Sequence, residues 1–142
     1  MRILLDTNVL VAALITKNTP PDLLYQAWRR GEFELVTSDA QLDELRRVLN
    51  YQKLRRFVSR EEAKLLLETI DARARIVEDL PEVALSRDPH DNMILATAIK
   101  AGASLAVSGD KEGMLALEQV QGIPIVTPRA ALARLSKKSG GD

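Results

Sequence analysis

The chain has no cysteine and a single histidine, His90. Disulfides, thiolate metal sites and thiol nucleophiles are excluded, and so is a histidine-rich metal cage. Aromatic residues make up only 4%, which leaves the core to Leu, Ile, Val and Ala. Net charge is missing as well, because 20 Lys and Arg balance 20 Asp and Glu. A polyanionic partner would therefore need a local basic patch rather than the field of the whole molecule. No apolar run approaches the ~20 residues of a membrane span, and no basic-then-apolar leader is evident; a cytoplasmic protein with no membrane partner is expected. What is present, 46% hydrophobic and 28% charged residues in 142, suits one ordinary globular domain.

Apolar runs and helical spacings alternate along the chain. Strands are expected at Arg2–Leu5, Phe33–Thr37, Arg75–Glu78, Ser104–Val107 and Ile123–Val126. Helices are expected at Asn8–Leu14, Leu23–Arg30, from Ser38, Arg60–Ala74, from Asp88 to Gly102, Lys111–Leu117 and Pro128–Leu135. Ser38 with Gln41 reads as a capping box, and Asp88-Pro89 as an N-cap followed by proline at the first helical position. Strand–helix alternation implies an α/β fold whose mostly parallel sheet is covered on both faces by right-handed crossovers. The stretch from Ser38 to Ala74 exceeds a simple crossover and implies an appended helical hairpin. One domain is expected over 1–135, with a disordered polar tail over 136–142.

Four carboxylates fall where strands should pass into helices: Asp6, Glu44, Asp91 and Asp110. None has an evident salt-bridge partner in sequence, whereas Asp43 can pair with Arg47 at i+4. Each also has a plain structural explanation. Asp6 and Asp110 could be helix caps, Glu44 a boundary residue of an amphipathic helix, and Asp91 a first-turn acid favoured by the helix dipole. Asp91 precedes Ile94 and Leu95 by three and four residues, which puts it on the buried face and leaves capping to Asp88. Taken together, the four gather at the crevice beyond the carboxyl ends of the strands, where open α/β sheets bind ligands. Such crowding is tolerable when a hard divalent cation neutralises it. Asn8, Ser38 and Ser108 are candidates for orienting ligands or waters.

Asp6-Thr7-Asn8-Val9, Leu42-Asp43-Glu44-Leu45, Asp91 with Ile94-Leu95-Ala96-Thr97-Ala98, and Ser108-Gly109-Asp110-Lys111 resemble the PIN-domain family. Their order and spacing are most similar to the VapC-like toxin ribonucleases of toxin–antitoxin modules. The resemblance spans Met1 to about Leu135. It implies a three-layer α/β/α sandwich around a mostly parallel five-stranded sheet, a homodimer and an inhibiting antitoxin. It also implies Mg²⁺ or Mn²⁺ held by Asp6, Glu44, Asp91 and Asp110, the catalytic acids. Glu112 departs from the pattern, standing where many relatives carry Asp, and His90 lies in a stretch that is often acidic.

The chemistry this implies is hydrolysis of single-stranded or structured RNA by metal-activated water, leaving a 5′ phosphate and a 3′ hydroxyl. For phosphate contacts the candidates are Arg46, Arg47, Lys53, Arg55 and Arg56, followed by Arg60, in a stretch without acids, and Lys111 beside the site. Tyr51 and Phe57 could stack on bases or belong to the core. Two rivals stand beside this reading: a non-catalytic RNA- or partner-binding module, and a metal-dependent phosphatase, for which Asn8 is the wrong residue. Asn at position 6 or 110 is expected to abolish cleavage while leaving the metal-free protein as stable or more so.

Overall fold

The computed structural model describes residues 1–140. Strands β1 (Arg2–Leu5), β2 (Glu34–Ser38), β3 (Arg75–Val77), β4 (Leu105–Val107), β5 (Gln119–Val120) and β6 (Ile123–Val126) form one sheet in the order β3-β2-β1-β4-β6-β5. Every pairing is parallel except β5 with β6. Helices α1 (Thr7–Ile15), α2 (Pro20–Arg29), α3 (Asp39–Leu49), α4 (Arg60–Arg73) and α7 (Pro128–Gly140) contribute to the core on one face. Helices α5 (Pro89–Ala101) and α6 (Met114–Leu117) contribute to the core on the other. The three-layer α/β/α architecture follows.

Side-chain alternation along the central strands assigns the two faces. Ile3 and Leu5 of β1, with Leu105 and Val107 of β4, enter the larger core with Leu10, Trp28, Leu45 and Leu66. Leu4 and Ala106 point the other way, to Ile94, Leu95 and Met114. Ile3, Leu4 and Leu5 are all buried, as expected of a strand paired on both sides. The chain moves outward from β1 through β2 to β3, then returns to β4 on the other side of β1. The topological switch point therefore lies between the carboxyl ends of β1 and β4.

The sheet has six strands where five were expected. The additional strand, β5, is two residues long, and its hairpin to β6 turns at Gln121 and Gly122, both at positive φ (46° and 81°). Gln-Gly is not the Asn-Gly or Asp-Gly signal of such a turn. α6 begins at Met114 rather than Lys111, because the intervening residues form a turn. α7 runs to Gly140, five residues past the expected domain end at Leu135; of the expected tail, residues 141–142 lie outside the described residues.

The α3–α4 hairpin is present, joined through a 3₁₀ turn at Gln52–Leu54. Only half of the Ser38–Gln41 capping box forms. The Ser38 hydroxyl accepts from the Gln41 N–H (3.1 Å), but the Gln41 side chain turns inward, donating to the Leu5 carbonyl (2.8 Å) and accepting from the Thr37 hydroxyl (2.6 Å). A complete capping box opens α4, between Ser59 and Glu62. Among the described residues no helix is long and apolar enough to cross a membrane.

Candidate active site

Asp6 occupies the N-cap position of α1, yet its side chain makes no cap bond. Its N–H donates to the Val107 carbonyl (2.9 Å), and its carbonyl accepts from Val9 (2.9 Å) and Leu10 (3.2 Å). Main chain alone therefore holds the helix start, and the carboxylate, only 3% exposed, is free for other partners. Asp6 Oδ2 accepts from the Ser108 hydroxyl (3.0 Å), and the same Ser108 oxygen accepts from the Asp110 N–H (3.1 Å). Ser108, the first residue beyond β4, thus ties two of the acids together across the switch point.

The other oxygen of Asp6, Oδ1, meets His90 Nε2 at 2.9 Å, and His90 Nδ1 meets Glu44 Oε2 at 2.5 Å. One imidazole therefore bridges the end of β1 to α3. Ionised carboxylates only accept hydrogen bonds, so both ring nitrogens must carry protons and His90 is a cation. Its pKa is pushed up to about 9; the bond to Asp6 is the main cause, burial opposes it, and Glu44 reinforces it. The sequence offers no evident salt-bridge partner for the acids; the fold supplies one for Asp6 and Glu44. The partner lies 84 residues from Asp6 and 46 from Glu44, beyond the reach of any local pattern.

Asp91 is buried at the first turn of α5 and accepts from the Ser86 hydroxyl (3.0 Å). Burial pushes its carboxyl up; Ser86 opposes that, and Asp88 and Asp110 add to it. Asp88 does the capping, accepting from the His90 N–H at 2.9 Å. Asp110 is exposed. Its Oδ1 accepts from the N–H groups of Glu112 (3.2 Å) and Gly113 (3.0 Å), so it does stabilise a turn, but through one oxygen.

Gly113 was not singled out in the sequence, and the crevice depends on it. A Cβ there would lie 2.2 Å from Asp110 Oδ2 and 3.1 Å from Asp91 Oδ2. The two carboxylates thus face one methyl-sized space, and Asp110 cannot swing aside without losing its backbone bonds. Gly113→Ala is expected to displace one or both acids and to lower any activity of the site by about 10²-fold, the scale for a misplacement near 1 Å. The melting temperature should change little, because the turn is on the surface. An unchanged rate would mean these two acids need not share that space.

Among the described residues, no three Asp, Glu or His side chains converge closely enough to hold an ion as they stand. In the donor set, carboxylate and hydroxyl oxygens predominate, as suits Mg²⁺ or Mn²⁺. Glu44 Oε1 is buried without a partner, as is the hydroxyl of Thr7 beside Asp6 in sequence. Unpaired buried acceptors are costly, and Glu44 Oε1 leaves bonding capacity beside His90. The residues fit a divalent ion chemically, and His90 stands between two of them. Not every buried acid belongs here. Asp22, past the C-terminal end of α1, is used by the Asn18 N–H and the Gln26 amide.

Asn8 is exposed in the first turn of α1. Ser38 bonds Thr97 (2.8 Å) and caps α3, contacts that make it part of the scaffold. Asp43 pairs with Arg46 (3.0 Å) rather than Arg47, a helical i,i+3 contact. Arg46, Arg55, Arg60 and Lys64 line a groove of 840 Å³ between α3 and α4. None of the four acids lines this groove, though Glu68 and Asp71 do. Arg55 donates from Nη2 to Asn50 (3.2 Å) and keeps Nη1 buried without a partner. Tyr51 and Phe57 are exposed, not core, with Lys53 and Arg56 over their rings. Arg47 and Lys111 are exposed.

No curated protein matches the chain. The crystal structure of PAE2754 from Pyrobaculum aerophilum is similar in fold, with 21% identity and a TM-score of 0.66 over 96% of this chain and 90% of that one. VapBC2 from Rickettsia felis, solved bound to a DNA fragment from its promoter, is 18% identical, with a TM-score of 0.59 over 89% of this chain and 98% of that one. The PIN-domain sequence profile matches residues 2–112, spanning all four acids. The chain belongs to the PIN-domain family, whose members are generally nucleases.

Proposed function

We propose that this protein is a divalent-metal-dependent ribonuclease acting on single-stranded RNA, and the toxin of a toxin–antitoxin pair. One observation supports the reading: side-chain contacts connect Asp6, Glu44, Asp91 and Asp110 near the switch point of the sheet. Ser108 and His90 link three of them, and a shared space at Gly113 links the fourth. Asp6, Asp91 and Asp110 would hold Mg²⁺ or Mn²⁺, with Glu44 contributing through its unpartnered Oε1. Such an ion, when bound, supplies Lewis acidity and a water nucleophile at neutral pH. Ser108 keeps Asp6 oriented. Lys111, one residue beyond Asp110, would meet the scissile phosphate.

Arg46, Arg47, Lys53, Arg55 and Arg56 would contact the RNA backbone, and Tyr51 and Phe57 would stack on bases. An antitoxin partner, a cytoplasmic setting and a homodimer belong to the same proposal. Arg46→Ala with Arg55→Ala is expected to weaken RNA binding. It should also flatten the plot of log affinity against log salt by about 0.7 per phosphate contact removed. A slope equal to wild type would exclude this surface.

A module that binds RNA without cutting it is favoured by one fact, that no three side chains converge on an ion position as they stand. End analysis of a labelled single-stranded RNA incubated with the protein and Mn²⁺ separates the readings. New internal ends bearing 5′ phosphate and 3′ hydroxyl are expected. Intact RNA would favour the binding module, and loss of terminal phosphate alone a phosphatase.

A further inference from the structure

We infer that His90 is a built-in counter-cation of the acid cluster: its imidazole occupies the place between Asp6 and Glu44 that a divalent ion would take, and it must leave before one binds there. The inference rests on the proposed metal site and adds a competitor that belongs to the chain itself.

Geometry makes the case. Asp6 Oδ2 accepts from Ser108, and Oδ1 is taken by His90, so both oxygens of Asp6 already have a partner. Glu44 Oε2 is taken by the same ring, while Oε1 is buried without a partner. Among the described residues no Lys or Arg forms an ion pair with Asp6, Glu44, Asp91 or Asp110. The imidazole is thus the one side-chain cation paired with the cluster. Its backbone is fixed, since Pro89 precedes it and Asp88 accepts its N–H. Its side chain is 25% exposed, so rotation about χ1 and χ2 can carry the ring to solvent without moving α5. Release would free two carboxylates at once. The acid set is therefore complete for an ion only in the conformer with the ring out, and apparent metal affinity falls with the population of that conformer.

His90 is the chain's only histidine, so its NMR signals need no assignment by mutation. The test is a Mg²⁺ titration of the full chain at one fixed neutral pH, followed by imidazole NMR and by calorimetry. As Mg²⁺ saturates, the wild-type imidazole resonances should move from a doubly hydrogen-bonded to a solvent-exposed position, in step with the heat of binding. His90→Asn and His90→Ala should bind Mg²⁺ about tenfold more tightly, the scale of one charge-assisted hydrogen bond. Imidazole signals unchanged through saturation would overturn the inference, and so would variants that bind no tighter. If neither variant folds, the wild-type spectra decide alone. Equal binding by wild type and variants removes only the role of His90. Absence of Mg²⁺ binding in all three removes this inference and the proposed metal site together.

Discussion

Asp6→Asn is expected to reduce RNA cleavage by at least about 10²-fold, the scale of losing one preorganised electrostatic contact to a reacting centre, while the protein stays folded. Asp6 is buried at the end of the central strand, and its main chain, not its carboxylate, holds the start of α1. The near-isosteric amide keeps the local shape, but its single oxygen can take the place of only one of the two that accept from Ser108 and His90, and the negative charge is lost. Sequence reasoning expects the neutral variant to be as stable as wild type or more so, because it relieves repulsion. The structure reverses that expectation for the metal-free state: the charge faces the His90 cation, and its loss should cost about 1 kcal/mol, the difference between a charged and a neutral hydrogen bond. Cleavage rate and thermal melting on one preparation check both parts. A variant that unfolds would make Asp6 a structural residue, and one that cuts at the wild-type rate would remove it from the site.

His90 carries the second large effect. Folding raises its pKa from the ordinary 6.5 to about 9, so the folded state binds the proton more tightly than the unfolded chain. The resulting stabilisation is fully present below pH 6.5 and disappears as pH rises to about 9. For a ring partly open to solvent it is on the order of 2 kcal/mol. In chelator, wild-type unfolding midpoints should therefore fall across that window. His90→Ala, which leaves Asp6 and Glu44 facing each other without a cation, should be less stable below pH 6.5 by a similar amount. Its curve should be flat where wild type declines. Urea denaturation at pH 6, 7.5 and 9 measures this, and parallel curves for the two proteins would contradict the pairing.

The parts of the molecule legible in the sequence are those with local causes. β1 and β4 are unbroken apolar runs, Asp88-Pro89 is a helix start, and Gly102 ends α5 in the left-handed conformation at φ 63°. Ser108 is one of three candidates in sequence for orienting ligands or waters, and its hydroxyl donates to Asp6. What was not legible depends on contacts distant in sequence. Gln41 looks like half of a capping box, but a buried carbonyl of Leu5 competes for its amide and wins. Gly113 looks like a loop glycine until two carboxylates are found against the position of its missing side chain. His90 looks like an interruption of an acidic stretch, and only the fold brings it between Asp6 and Glu44. Arg46 and Arg55 belong to a basic stretch that begins two residues after Glu44 in sequence, and the fold sets them along a groove between α3 and α4.

The central claim is that these acids cut RNA with the help of a divalent ion. Protein stripped with chelator, then given Mn²⁺, with one labelled single-stranded RNA and one rate measured before and after, tests it most directly. No cleavage after stripping and full recovery on Mn²⁺ addition is the predicted result. Cleavage that persists in chelator, or RNA that stays intact at saturating Mn²⁺, would contradict it.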